Sequence, residues 1–233
     1  MQPVLEIYVP DGFDLWPVAE VEPFGFLPLS GELSPAEVGT AVTRIADCNN
    51  VGDGNGENDG SDGSDGNDGN DGNDGNDIGD ASGVAFGSFL QGLLSFEHVI
   101  ASGGLRVTDD STGVTFLPGC CDGLEEWRDW HQLVDKGGLL GFGHDPVSPT
   151  AERFGDTVRL TVNVEQTDSP VIELGVTELR HLLTGVERDL TAFLALVAAW
   201  TSENLPDHHT AVTAAIARAL DLPVPTRAIT LKS

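Results

Sequence analysis

Lysine is nearly missing from this chain. Nine of its eleven basic residues are arginine, leaving only Lys136 and Lys232, and they face 38 acidic residues for a formal net charge of −27. A field of that sign repels nucleic acid and anionic membrane surfaces, and it attracts cations and basic proteins. Cysteine is scarce as well. Cys48, Cys120 and Cys121 are odd in number and two are adjacent, which argues against a disulfide framework. Adjacent cysteines project in divergent directions and no Cys-x-x-Cys occurs, so no zinc site is expected. Long apolar runs are also missing. The longest, Leu190 to Trp200, falls short of the roughly 20 residues that a spanning helix needs. The opening Met1-Gln-Pro-Val-Leu-Glu-Ile-Tyr8 carries no basic segment followed by an apolar stretch and a small-residue cleavage site. No signal peptide is therefore expected, and cytoplasm is the expected setting. The phosphate-binding Gly-x-x-x-x-Gly-Lys, the Gly-x-Ser-x-Gly elbow and the His-Glu-x-x-His pair are all lacking, so neither a cofactor nor a catalytic residue is assigned.

What the chain has in excess is Asn, Asp and Gly, concentrated in one place. Asn58 to Gly75 reads as six consecutive (Asn/Ser)-Asp-Gly triplets, inside a low-complexity stretch over residues 49–83 that holds ten acids and no base. Such a stretch has nothing to bury, glycine maximises the entropy lost on ordering, and the carboxylates repel one another; disorder is the expectation. Calcium cages need converging oxygens held by an apolar frame, which this repeat does not supply. The other 198 residues still hold 28 acids against 11 bases, so the folded part is acidic in its own right.

Element signals lie on both sides of the repeat. Val4–Val9 is expected as a strand ending at Pro10, followed by a Pro- and Phe-rich loop through Pro28. Ser34-Pro35-Ala36-Glu37 has the form of a capping box with proline at the first helical position, and the helix runs to Cys48. Val84–Leu94 spaces its apolar residues as an amphipathic helix, with Ser82 as its cap. Leu105–Leu117 is two alternating runs around Asp109-Asp-Ser-Thr-Gly113, a hairpin. Asp122 is expected to cap a short helix with Leu124, Trp127, His131 and Val134 on one stripe and Trp130 beside it. Thr157–Val164 alternates as a half-buried strand, and Val171–Leu174 is another or the lead-in to a helix. Thr177 is expected to cap the longest helix, where Leu179, Leu183, Val186, Leu190, Phe193, Val197 and Trp200 form one seam. The broad apolar face around that seam favours a core helix over a two-stranded coiled coil. Asp207 begins a last helix with Val212, Ile216 and Ala219 inward; His208 and His209 are expected at the surface. The fold class is α+β: a small antiparallel sheet packed against a long C-terminal helix and several shorter helices. Residues 1–48 and 84–222 form one domain, interrupted by the insert at 49–83, with a loose tail over 223–233.

Chemistry-bearing residues gather around Cys120, Cys121, Asp122, Glu125, His131 and His144. A thiol site is the enzymatic alternative, with Cys121 before a helix start and His144-Asp145 as base and neighbour. A packed cysteine pair beneath Trp127 and Trp130 is the simpler account. Three runs, Gly31-Glu-Leu-Ser-Pro-Ala-Glu-Val-Gly39, Leu117-Pro-Gly-Cys-Cys-Asp-Gly-Leu-Glu-Glu-Trp-Arg-Asp-Trp130 and Gly143-His-Asp-Pro146 with Gly155-Asp-Thr-Val-Arg-Leu160, resemble a group of uncharacterised actinobacterial proteins. The resemblance covers most of the chain outside the repeat. It implies a bacterial, cytoplasmic setting and assigns no activity or residue role.

The functional expectation is a non-enzymatic acidic interaction protein, immunity-type or regulatory, that covers a basic protein partner, with Trp127 and Trp130 as aromatic anchors. The alternatives are an enzyme with a thiol site near Cys121 and His144, or a metal-binding protein that uses the cysteine pair or the repeat. Deleting residues 53–77 is expected to leave a single cooperative thermal transition. Loss of that transition by circular dichroism would show that the repeat is part of the fold.

Overall fold

Ser34 begins the first helix as its sequence dictates. Its hydroxyl accepts from the Glu37 N–H, while the Glu37 carboxylate accepts from the Ser34 N–H at 2.8 Å, a complete capping box with Pro35 at the first helical position. This computed structural model describes residues 1–50, 81–119, 122–143 and 147–224, without the side chains of 81–86. Helix α1 (Pro35–Cys48) ends at Asn49, and α2 (Ala81–Ser95) packs against it. The helix thus starts before Ser82, so that residue is not its cap, and residues 81–83, assigned to the insert, are helical.

The α+β class expected from the sequence holds, with small antiparallel sheets packed against a long helix, and the strands form two four-stranded sheets where one was expected. The first has the order β2-β1-β3-β4, from Gln2–Glu6 (β1), Phe26–Pro28 (β2), Gly103–Thr108 (β3) and Thr115–Phe116 (β4). β1 thus opens and closes earlier than Val4–Val9, and β2 lies within the stretch expected as loop. The β3–β4 hairpin pairs Val107 with Phe116, and the Asp109 carboxylate accepts from the Ser111 and Thr112 hydroxyls to hold the turn. The second sheet is the meander β5 (Leu139–Gly141), β6 (Thr150–Phe154), β7 (Thr157–Thr161) and β8 (Val171–Gly175). Its register sets Ala151, Leu160 and Ile172 side by side on the inner face, while Glu152, Arg159 and Glu173 share the outer one.

β8 runs straight into α4 (Val176–Asn204): Gly175 is the N-cap and no side chain caps this end, so Thr177 lies within the first turn. All seven residues of the expected seam are buried, Trp200 at 5% exposure being the most open. They are covered within one chain, by β1, β7, β8, α1, α3 (Asp129–Lys136) and α5 (His209–Ala219). Val212, Ile216 and Ala219 line the inner face of α5. His208 and His209 are half-buried and not fully on the surface, with His209 Nδ1 2.9 Å from the buried Thr201 hydroxyl.

The loop after β1 carries core residues. Trp16 lies edge-on to Trp200 at 5.6 Å and donates its indole N–H to the Thr43 hydroxyl (2.8 Å) and the Gly39 carbonyl (3.1 Å). A Cβ on Gly39 would sit 2.2 Å from the Pro17 carbonyl oxygen, so only glycine lets this loop lie on α1. Asn49 then ties the end of α1 to the segment before β3. Its amide donates to the Ile45 and Ile100 carbonyls at 2.6 and 2.8 Å and accepts from the Ile100 N–H at 2.9 Å. Asn49→Ala leaves those backbone groups without this partner, at a cost of about 1–3 kcal/mol. The melting temperature by circular dichroism is expected to fall by about 3–10 °C; an unchanged value would mean that water replaces the amide.

Candidate functional site

The segment after the cysteine pair is held by backbone hydrogen bonds. Gly103 N–H donates to the Asp122 carbonyl and Leu124 N–H to the Ala101 carbonyl at 2.8 Å, which lays residues 122–124 along the start of β3. A 3₁₀ turn, Leu124–Glu126, and α3 follow. Asp122 caps neither. Its carboxylate turns back to accept from the Gly119 N–H at 2.9 Å, and the N-cap of the 3₁₀ turn is Gly123, with no side-chain hydrogen bond.

Between this segment, β3 and β5 lies a cavity of about 70 Å³. Trp127, Trp130, Phe142, Leu105 and Pro118 supply its apolar walls, and Asp122, Glu126 and Asp129 line it with carboxylates; among the described residues no base lines it. Trp130 and Phe142 stack at 5.0 Å, and Phe116 meets both rings edge-on. Burial pushes the Asp122 carboxyl up to about 6, with the nearby Glu126 and Glu125 charges acting in the same direction against the Gly119 hydrogen bond. Burial raises Glu125 as well, whose carboxylate accepts from the Ala101 N–H.

Trp127 and Trp130, expected as aromatic anchors for a partner, are core residues only 1% and 3% exposed. The Trp127 indole N–H donates to the Leu220 carbonyl at 2.9 Å, and the Arg128 guanidinium lies 4.3 Å from the ring centroid. They serve the site as walls. Arg128 itself pairs with Glu187 and Asp221, each at 3.0 Å, fastening this segment to α4 and to the end of α5. His131 is half-buried and edge-on to Trp127 at 5.6 Å. Cys120, Cys121, His144 and Asp145 lie outside the described residues, as do 51–80 and 225–233. The residues flanking the first four are in contact: a Cβ on Gly119 would overlap the Phe142 carbonyl oxygen at 1.1 Å and reach the Gly143 Cα at 2.9 Å. Cys48 is half-buried, and burial pushes its thiol pKa up, against nucleophilic reactivity at neutral pH. Phe142, Glu126 and Asp129 carried no signal in the sequence. Phe142 lies in a glycine-rich connection, and the two acids look like an ordinary solvated face.

Among the described residues, no group of three or more His, Cys, Asp or Glu side chains is arranged to hold a metal ion, and no helix is long and apolar enough to cross a membrane. No known protein family, curated protein or solved structure matches this chain.

The raised Asp122 carboxyl binds its proton more tightly in the folded chain than in the unfolded one. Its ionisation therefore costs stability above about pH 6, and that cost disappears as pH falls through the interval down to its ordinary 3.8. Asp122→Asn, which keeps an acceptor for Gly119, is expected to melt higher than the wild type at pH 7.5 by about 2–4 °C. The gap should close on titration to pH 4, measured by calorimetry; a gap independent of pH would refute the burial account.

Proposed function

We propose that this is a non-enzymatic interaction protein, of immunity or regulatory type, that binds a basic protein partner and receives one of its arginine or lysine side chains in the Asp122–Trp130 cavity. The lining of that cavity carries the reading: three carboxylates, two indoles and a phenyl ring, with no base among the described residues that line it. A half-buried carboxylate beside two others gains from an incoming cation, and aromatic faces accept a guanidinium or ammonium by cation–π attraction. The bacterial, cytoplasmic setting expected from the sequence belongs to the same proposal, as does the absence of nucleic-acid and membrane partners.

The charge balance of the chain favours the same class of partner. Arg44, Arg128, Arg159, Arg180 and Arg188 each pair with a carboxylate of this chain. Arg153 reaches inward to the Val134 carbonyl at the end of α3. With these six arginines engaged by the chain's own acceptors, the surplus carboxylates set the sign of the field, which speeds association with a basic surface and makes it sensitive to salt.

Affinity capture from a lysate of the source organism at low ionic strength is expected to yield one dominant basic protein that is lost at high salt. Against that purified partner, Asp122→Asn should weaken binding about tenfold or more, the range for a charge-assisted contact. No specific partner at low salt, or an affinity indifferent to Asp122→Asn, would sink the proposal.

A further inference from the structure

The turn between the Pro- and Phe-rich loop and β2 places an aromatic ring where the fold itself has little use for one. Gly25 N–H donates to the Glu22 carbonyl at 3.1 Å, closing a four-residue turn with Pro23 second and Phe24 third. Phe24 has φ 61°, at a position that turns of this kind give to glycine or asparagine, because a side chain there crowds the backbone. The conformation is held from outside: Phe24 N–H donates to the Ile7 carbonyl at 2.7 Å, and Ile7 N–H donates to the Gly25 carbonyl at 2.8 Å. The ring gains little from burial in return. At 68% it is the most exposed large apolar side chain among the described residues, and it stacks at 5.8 Å on the ring of Tyr8. A strained backbone that presents an exposed phenyl ring is an arrangement that folding alone does not select.

Charge indicates what the ring meets. The first 43 residues contain seven acids and no Lys, Arg or His, the next residue, Arg44, is paired with Glu6 and Asp47, and Glu20 and Glu22 beside the turn are exposed. A stacked aromatic pair in an acidic field suits a guanidinium laid over a ring face, where the cation gains from both the π-system and the carboxylates. We propose that the Tyr8–Phe24 pair is a second docking point for a basic protein partner, binding an arginine side chain over the exposed face of Phe24. This rests on the proposed acidic interaction function and adds to it a contact outside the Asp122 cavity.

The test titrates the ¹⁵N-labelled full chain with an unstructured peptide of alternating Arg and Ser, and with its Gln-Ser counterpart, in about 50 mM salt where screening is modest. The Arg peptide is expected to shift the Tyr8, Phe24 and Gly25 resonances, and the Gln peptide to leave them in place. Phe24→Asn, at ease with positive φ, should melt no lower than the wild type yet bind the Arg peptide several-fold to tenfold more weakly. Phe24→Trp should restore binding. Shifts that avoid Tyr8 and Phe24, or an affinity unchanged in Phe24→Asn, would overturn the docking point while leaving the acidic interaction function standing. No binding of the Arg peptide anywhere would overturn both.

Discussion

Covering the apolar stripe of α4 is the constraint on which the other elements depend. An α-helix of 29 residues extends about 43 Å, and its stripe from Leu179 to Trp200 is buried throughout. One sheet cannot span that length, so the work is divided. The β5–β8 meander meets the helix near its start through β7 and β8, α3 and α5 close its sides, and β1 and α1 cover further parts. Each partner offers an alternating or 3.6-period apolar face because only such a face can lie against the stripe. The loop around Trp16 is drawn in for the same reason: the Trp200 ring needs a neighbour, and α1 provides the hydrogen-bond acceptors that let a second indole be buried there.

The acidic surface follows from the same distribution of resources. The arginines are used where a long, planar donor closes a gap between elements: Arg128 between α3 and both α4 and the end of α5, Arg180 between α4 and Asp135 of α3, Arg153 from the sheet to the end of α3. Several of these pairs are exposed, so their individual contributions are small, and their effect is mainly on orientation and on the residual field. The carboxylates outside these pairs include Asp122, whose protonation is coupled to burial. One residue thus carries opposite demands: stability favours the neutral form, while attraction for a cation favours the charged one.

Parts of this architecture were legible because the information is local. The Ser34–Glu37 capping box, the Asp109–Gly113 hairpin turn and the α4 seam are each written in contiguous residues, and each appears where its spacing puts it. β2, β5 and β6 were not legible. Phe26–Pro28 and Leu139–Gly141 are too short to show a period, and Thr150–Phe154 has a single small apolar residue, Ala151, facing the core. Those strands are fixed by their partners in the ladder rather than by their own composition. The caps assigned to Asp122 and Thr177 failed for a related reason. A ladder to residues 101–103 holds the first and direct continuation from β8 displaces the second, and both depend on distant chain. At the site, the stripe of Leu124, Trp127, His131 and Val134 was expected on one side; Leu124, Trp127 and Val134 are buried, while His131 is only half-buried. That the tryptophans form the walls of a cavity, closed by Phe142 from a glycine-rich connection, depends on the meeting of two segments that no sequence window contains.

The junction at Gly175 has a mechanical consequence. Most sheets join their helices through a few residues of turn that absorb small rotations. Here the last strand residue is the helix cap, and the Val176 N–H is anchored to the Asp156 carbonyl of the neighbouring strand turn. Strand and helix therefore form one bent beam without a joint. A twist imposed on the β8 edge has no local hinge to take it up. It would be carried along the shaft to the far end, which is seated by Trp200 against Trp16 and the Gly39 turn of α1.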